Sequence, residues 1–334
     1  MNLDRSKQVV VLGSGSWATA LVKLFSNNLE KVHWWVRKEE NAAHIQQFRR
    51  NPSYLQDVEL DLDKLTLHTA VSEALLLADV VIIAIPAAFI NQSLSSLTKE
   101  AFKGKKIISA VKGIIPEFNA IPARYFHKSF GVPYADIGII CGPCHAEEVA
   151  LERLSYLTVG CEDNETSHWV ASALRGRTMN VTVCDDLFGA EFSAILKNVY
   201  ALASGICAGL GYGDNFQAVL VSNAIQEIES FLDVVHPVHR DVKSSAYLGD
   251  LLVTAYSKFS RNRTFGFMIG QGYSVKAATL ELGMVSEGYY ATKCLVEINE
   301  KFNVELPILQ AVNDIIYHNK SARKTMQGLS EKLT

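Results

Sequence analysis

The chain of 334 residues is short of several things that define whole classes of protein. It has six cysteines, Cys141, Cys144, Cys161, Cys184, Cys207 and Cys294, spread through a chain too long for a stapled miniprotein and with no export signal, so reduced thiols rather than a disulfide framework are the expectation. Net charge is almost absent, because 32 Lys and Arg stand against 35 Asp and Glu for a formal -3. No general field therefore exists to hold a nucleic-acid backbone, and any anion must be bound locally. Long apolar runs are missing too. A bilayer takes about 20 apolar residues, whereas the most apolar stretch, residues 78–90, is shorter and carries Pro86. The opening MNLDRSKQ has no apolar signal core, which places the expected location in the cytoplasm. What is present is a 49% hydrophobic, 20% charged composition over a length that suits roughly two domains, so a folded protein with sizeable cores is expected.

The first half alternates short β-branched runs with helical stretches. Residues 8–12, 31–36, 80–85, 106–111 and 137–141 read as buried strands, and alternating β and α implies a parallel sheet. Residues 156–159 and 180–184 add two strand-like runs before the character changes near Asp185 to Gly189. After that, Leu187, Ala190, Ala194, Leu196, Val199 and Ala203 recur at intervals of three and four, the spacing of a stripe on one helix face. The expected class is α/β: an N-terminal Rossmann-type parallel-sheet domain over residues 1–187, then an all-α domain over residues 188–334.

Directly after the first strand, Gly13-Ser14-Gly15-Ser16-Trp17-Ala18 forms a GxGxxA loop that leads into a helical stretch over residues 19–27. Gly13 permits a tight turn, Gly15 lets backbone approach a pyrophosphate, and Ala18 still lets helix pack near strand. The helix N-terminus then faces phosphate. An acid at the end of the second strand would bind the ribose hydroxyls of NAD, but this strand ends Trp34-Trp35-Val36-Arg37. Arg37 suits either adenine stacking or a 2'-phosphate, so the implied cofactor is NAD or NADP. Further along, the strand ending at Ile85-Pro86 turns the chain out where open α/β sheets bind ligands, and Lys112-Gly113 closes the next apolar strand as a site candidate.

In the second half, Lys197 and Asn198 interrupt an apolar helix, where a lysine must snorkel, pair or do chemistry. The glycines at 209, 211 and 213 read as a tight loop. Asp250 and Thr254 stand four apart, on one helix face, and an acid among Leu248, Leu251 and Leu252 wants a partner. Ser260-Arg261-Asn262-Arg263 concentrates hydroxyl, guanidinium and amide donors at a helix break, and arginine forks suit phosphate. Two patterns are set aside. Cys141-Gly142-Pro143-Cys144-His145 satisfies redox and haem-attachment spacings without the fold or export signal either needs, and His236 and His239 lack further ligands at metal-site spacing.

Taken in order, GSGSWATAL, WVR, AIPA, SAVKG, GPCHAEEV, LKN, GLGYGDN, GDLLVT, SRNR and SEG resemble NAD(P)-dependent glycerol-3-phosphate dehydrogenases of the bacterial type, from about residue 8 to about residue 300. The resemblance implies reversible hydride transfer between NAD(P)H and dihydroxyacetone phosphate, giving sn-glycerol 3-phosphate for glycerophospholipid synthesis. It implies catalytic roles for Lys197, Lys112 and Asp250, with Lys197 exchanging the proton. It places the cofactor at Gly13, Gly15, Ser16, Trp17, Arg37, Lys112, Ala146, Arg261, Val285 and Glu287. Substrate positions are Lys112, Gly142, Cys144, Lys197, Asp250, Ser260, Arg261 and Asn262. It further implies a small-molecule substrate as partner, no nucleic acid, no membrane span, no metal, and a homodimer. The chain departs from the pattern at Cys144, where relatives usually carry Thr or Ser, at Asn223-Ala224 in place of an Arg-Gly pair, at Tyr247 in place of glycine, and at Ala18. The alternatives are another dehydrogenase of this architecture acting on a hydroxy acid, and a non-catalytic dinucleotide-sensing protein.

Overall fold

A computed structural model describes residues 3–283 and 286–334. The chain forms two compact units: Met1–Val111 with Ala120–Leu187, and Lys112–Asn119 with Phe188–Thr334. The first unit is built on β1 (Val9–Leu12), β2 (Val32–Trp35), β3 (Leu65–His68), β4 (Val80–Ile83), β5 (Lys106–Ser109), β6 (Ile137–Cys141), β7 (Ser155–Cys161) and β8 (Met179–Cys184). Their order across the sheet is β3-β2-β1-β4-β5-β6-β7-β8. The first six pair in parallel, a doubly wound order with the chain reversing direction across the sheet after β3. Every residue of β1, β2 and β4 is buried, as expected of β-branched and aromatic runs covered on both faces.

Around this sheet run α1 (Ser16–Asn28), α2 (Glu39–Phe48), α3 (Val71–Leu76), α4 (Ala87–Leu94), α5 (Pro122–Phe130), α6 (Ala146–Ala150) and α7 (Asn164–Leu174). Three details differ from the sequence reading. β3 was not expected, because Leu65-Thr66-Leu67-His68 is a half-buried edge strand whose Thr and His dilute the apolar run. β7 pairs antiparallel with β6, so the sheet is mixed at that end; the connection through the five-residue α6 brings the chain back alongside β6. Finally, α1 starts at Ser16, inside the glycine motif, instead of at residue 19.

The second unit contains α8 (Leu187–Gly209), α9 (Asp214–Val235), α10 (Asp250–Tyr256), α11 (Arg261–Gly270), α12 (Val275–Leu282), α13 (Glu287–Asn299), α14 (Pro307–Ile316) and α15 (Ala322–Ser330). The stripe expected on α8 widens into burial of nearly the whole helix. It is long and apolar enough to cross a membrane, yet 89% of its most apolar window is buried, which is the pattern of a core helix. Four glycines let α8 and α11 touch backbone to backbone. A Cβ on Gly205 or Gly209 would overlap the carbonyl oxygens of Arg263 and Phe267, and one on Gly266 or Gly270 would overlap those of Leu202 and Ile206. The expected tight loop follows α8, with Gly211 at φ +88°.

Candidate active site

In the sheet unit, β1 delivers the chain into the glycine loop. Gly13 sits at φ +125°, and any Cβ there would collide with the carbonyl oxygen of Ala84, just past β4. Gly15 is the last residue before α1, and its missing Cβ leaves open space, with no atom within 4 Å. No side chain caps α1 and no acid lies in its first turn, so the positive end of the helix is available to an anion. Trp17 Nε1 is buried with no acceptor among the described residues. An open glycine, an uncapped helix and an orphaned donor together fit the diphosphate of a dinucleotide. Arg37 lies just beyond β2, exposed and without an acidic partner among the described residues.

In the helical unit, Lys197 projects from α8 with a side chain only 5% exposed. Its Nζ donates to Asp250 Oδ1, and to Thr254 Oγ1 at 2.9 Å. Asp250 opens α10 immediately after a π-type turn, Ser245–Gly249, and is itself 1% exposed. The favourable end of the helix dipole therefore supports its charge. From the Lys112–Asn119 segment, Lys112 Nζ reaches the same carboxylate, 3.0 Å from Oδ2 and 3.3 Å from Oδ1. Asn198, next to the lysine on α8, donates from Nδ2 to the Lys112 carbonyl at 2.6 Å and so holds that segment in place.

Burial pushes the Lys197 pKa down, Asp250 draws it back up, and Lys112 lowers it again; the balance lies below the ordinary lysine value. Burial raises the Asp250 carboxyl, but Lys112 and Lys197 outweigh it and hold the group below its usual range. With one carboxylate facing two ammoniums, the cluster carries surplus positive charge. Loss of a proton from Lys197 relieves that surplus, and so does an incoming anion.

The SRNR segment becomes the start of α11. Ser260 caps the helix by accepting from Arg263 N, which leaves Arg261 exposed in the first turn and without a hydrogen bond or ion pair among the described residues. Asn262 is oriented from the other side: its Oδ1 accepts from Ser286 Oγ at 2.8 Å and from Gly288 N at 2.9 Å. Its amide nitrogen therefore points away from those donors and is left for another acceptor.

Family models match both parts of the chain: the N-terminus of NAD-dependent glycerol-3-phosphate dehydrogenase over residues 8–167, and its C-terminus over residues 186–327. A glycerol-3-phosphate dehydrogenase (NAD(P)+) of Agathobacter rectalis is 32% identical over 96% of this chain and 95% of its own length. The chain belongs to the NAD-dependent glycerol-3-phosphate dehydrogenase family. A second such dehydrogenase, from Lactobacillus delbrueckii subsp. bulgaricus, is 33% identical over 96% of each protein. The crystal structure of glycerol-3-phosphate dehydrogenase from Coxiella burnetii superposes with a TM-score of 0.90 at 25% identity, covering 97% of this chain and 99% of that one. Membership makes the protein an NAD(P)-dependent oxidoreductase acting on a CH-OH group, and it outweighs the hydroxy-acid and sensor alternatives.

Of the residues marked in the sequence for this dehydrogenase chemistry, Lys112, Lys197 and Asp250 converge on one cluster. Gly13, Gly15, Ser16 and Trp17 share the glycine loop and the first turn of α1. Gly142 adopts φ +113°, where a Cβ would press on Tyr156 O at 3.1 Å, and it turns the chain so that Cys144 Sγ donates to that same oxygen at 3.1 Å. Ala146 opens α6, and Glu287 opens α13. Val285 lies outside the described residues. Sequence reasoning passed over Thr254 and Asn198 as site residues, although the four-residue step from Asp250 and the polar break in α8 had put both in view. Ser286 carried no signal at all, because only the fold brings it to Asn262.

Proposed function

We propose that this chain interconverts dihydroxyacetone phosphate and sn-glycerol 3-phosphate with NAD(P)H or NAD(P)+, and that Lys197 exchanges the proton at the substrate oxygen. When bound at the glycine loop, the nicotinamide cofactor supplies or accepts the hydride. In reduction the Lys197 ammonium donates to the ketone oxygen, and in oxidation its neutral amine takes the hydroxyl proton. Asp250 and Thr254 hold the lysine Nζ in place. Lys112, sharing Asp250, eases proton release from Lys197 and adds positive charge that favours a dianionic substrate. Arg261 and the oriented amide of Asn262 grip the phosphate, which explains how a nearly neutral protein selects a phosphorylated triose. Gly142, Cys144 and Ser260 line the triose, while Arg37, Ala146, Arg261 and Glu287 complete the cofactor contacts.

The observation that carries this reading is the buried Lys197–Asp250–Lys112 cluster. Lys197→Ala is expected to reduce kcat by at least about a thousandfold, near the upper part of the range for general acid–base groups, with NADH binding retained. Turnover close to wild type would reject the role. In the same assay Arg261→Ala should raise KM for dihydroxyacetone phosphate roughly tenfold or more, as loss of a charge-assisted phosphate contact does. We place the enzyme in the cytoplasm as a homodimer feeding glycerophospholipid synthesis; sedimentation equilibrium at twice the chain mass tests the assembly.

A further inference from the structure

The glycine loop is held from behind by side chains that lie outside its motif or face away from its ligand. Trp34 on β2, wholly buried, donates from Nε1 to the Gly13 carbonyl at 2.6 Å. Asn51, which follows α2 and is 2% exposed, donates from Nδ2 to the Ser14 carbonyl at 3.0 Å. Thr19 on α1 donates from Oγ1 to the Gly15 carbonyl at 3.0 Å and in turn accepts from Asn51 Nδ2 at 2.9 Å. Asn51 is fixed as well, because its Oδ1 accepts the backbone N–H groups of Ser53 and Tyr54 at 3.0 and 3.1 Å. Three consecutive carbonyls are thus tied to the protein interior.

In a planar trans peptide the carbonyl of one residue and the N–H of the next point in opposite directions. Tying back the carbonyls of Gly13, Ser14 and Gly15 therefore turns the N–H groups of Ser14, Gly15 and Ser16 outward. This is the side on which α1 is uncapped and the Cβ position of Gly15 is open. The Gly15 carbonyl also accepts the first helical N–H, from Thr19 at 3.0 Å, so the Thr19 hydroxyl reinforces that bond, whereas the Gly13 and Ser14 peptides would otherwise sample many orientations, and binding would have to select one. We propose that Trp34, Asn51 and Thr19 are positioning residues that preorganise this loop for a diphosphate, and that they set affinity for the dinucleotide through its phosphates alone. The inference rests on the reading of the loop as the dinucleotide site.

The test uses the full-length enzyme and calorimetric titration with NADH, ADP and adenosine. Trp34→Phe keeps the aromatic ring and removes the donor. Thr19→Val keeps the shape and removes the hydroxyl, whereas Thr19→Ser restores it. Each of the first two variants should bind NADH and ADP roughly tenfold more weakly, the scale of one lost orienting hydrogen bond, with adenosine affinity unchanged. KM for NADH should rise while KM for dihydroxyacetone phosphate stays within about twofold, and Thr19→Ser should bind like wild type. Unchanged NADH affinity in both variants overturns the proposal, as does a loss shared equally by adenosine or by the triose phosphate KM. Gly15→Ala separates the two levels, since its methyl meets no protein atom within 4 Å yet enters the diphosphate path. Intact NADH binding in Gly15→Ala would reject the loop assignment itself. Abolished binding there, alongside silent Trp34→Phe and Thr19→Val, would reject only the positioning role.

Discussion

At Lys197 two ammoniums compete for one buried carboxylate, and the consequence is a proton that leaves more readily than an ordinary lysine's. Because the Lys197 pKa lies below its usual value, oxidation of glycerol 3-phosphate should rise with pH through a limb centred below the ordinary lysine value of 10.5, as the amine becomes neutral. Ketone reduction should fall across the same limb, since it needs the protonated form. Asp250 is what draws that pKa back up, so Asp250→Asn should move the limb to lower pH while Lys112 continues to repel. The profile of kcat in both directions at saturating cofactor decides the matter. A limb that stays in place in Asp250→Asn would show that the carboxylate does not govern this proton.

The helices that present these groups depend on how closely their backbones approach. α8 carries Lys197 and α11 carries Arg261 and Asn262, and the two cross on Gly205, Gly209, Gly266 and Gly270. Gly288 repeats the device on α13: a Cβ there would stand 2.6 Å from the Asn198 carbonyl and 3.1 Å from Asn262 Oδ1. A methyl at Gly266 would drive into the Leu202 carbonyl, and a backbone carbonyl cannot swing aside as a side chain can. Gly266→Ala should therefore lose on the order of 2–4 kcal/mol, the range for severe overpacking, by urea unfolding. Exposed Gly328, whose added Cβ meets nothing within 4 Å, should tolerate Ala with little change. Similar losses at both sites would mean that helix propensity, and not close packing, sets the response. Glycine content alone did not announce this crossing, because residue 209 read equally well as the onset of the loop that follows α8.

Over the whole molecule, stability should respond to pH through groups that take no part in the chemistry. Glu227 on α9 accepts from Ile308 N at 2.6 Å and Leu309 N at 3.4 Å, capping α14 from inside the protein. Burial pushes its pKa up to about 7, more than the two N–H groups and Tyr200 bring it down. A carboxyl whose folded pKa exceeds its unfolded one contributes most below about pH 4.5, and that contribution is lost as pH climbs toward 7, by about 3 kcal/mol in all. The His33–His68 pair, one ring buried and the other half-buried, 2.9 Å apart between β2 and β3, acts in the opposite sense. Burial, then the neighbouring His68 and Lys31, lower the His33 pKa, and burial lowers that of His68 against Glu73, so their contribution is lost as pH falls through the ordinary histidine range. Only a difference isolates the glutamate. Between pH 5 and pH 7.5, wild type should lose stability relative to Glu227→Gln, read from urea midpoints; parallel curves for the two proteins would refute the assignment.

Local patterns in the chain determined the α/β class, seven of the eight strands, the glycine loop with the helix behind it, and the short motifs that carry the family resemblance. Such signals are legible because a two-residue or 3.6-residue period and a turn glycine act over a few neighbouring residues. Tertiary structure alone decided the rest. The edge strand β3 exists through pairing with β2, and β7 runs antiparallel beside β6 where alternating β and α implied a parallel sheet. Lys112 and Asp250 stand 138 positions apart, and Trp34, Asn51 and Thr19 reach the loop from β2, from the segment after α2 and from α1. A hydrogen bond between distant residues leaves no period in the chain, so the partners of the catalytic lysine and the supports of the glycine loop become visible only once the fold has brought them within about 3 Å.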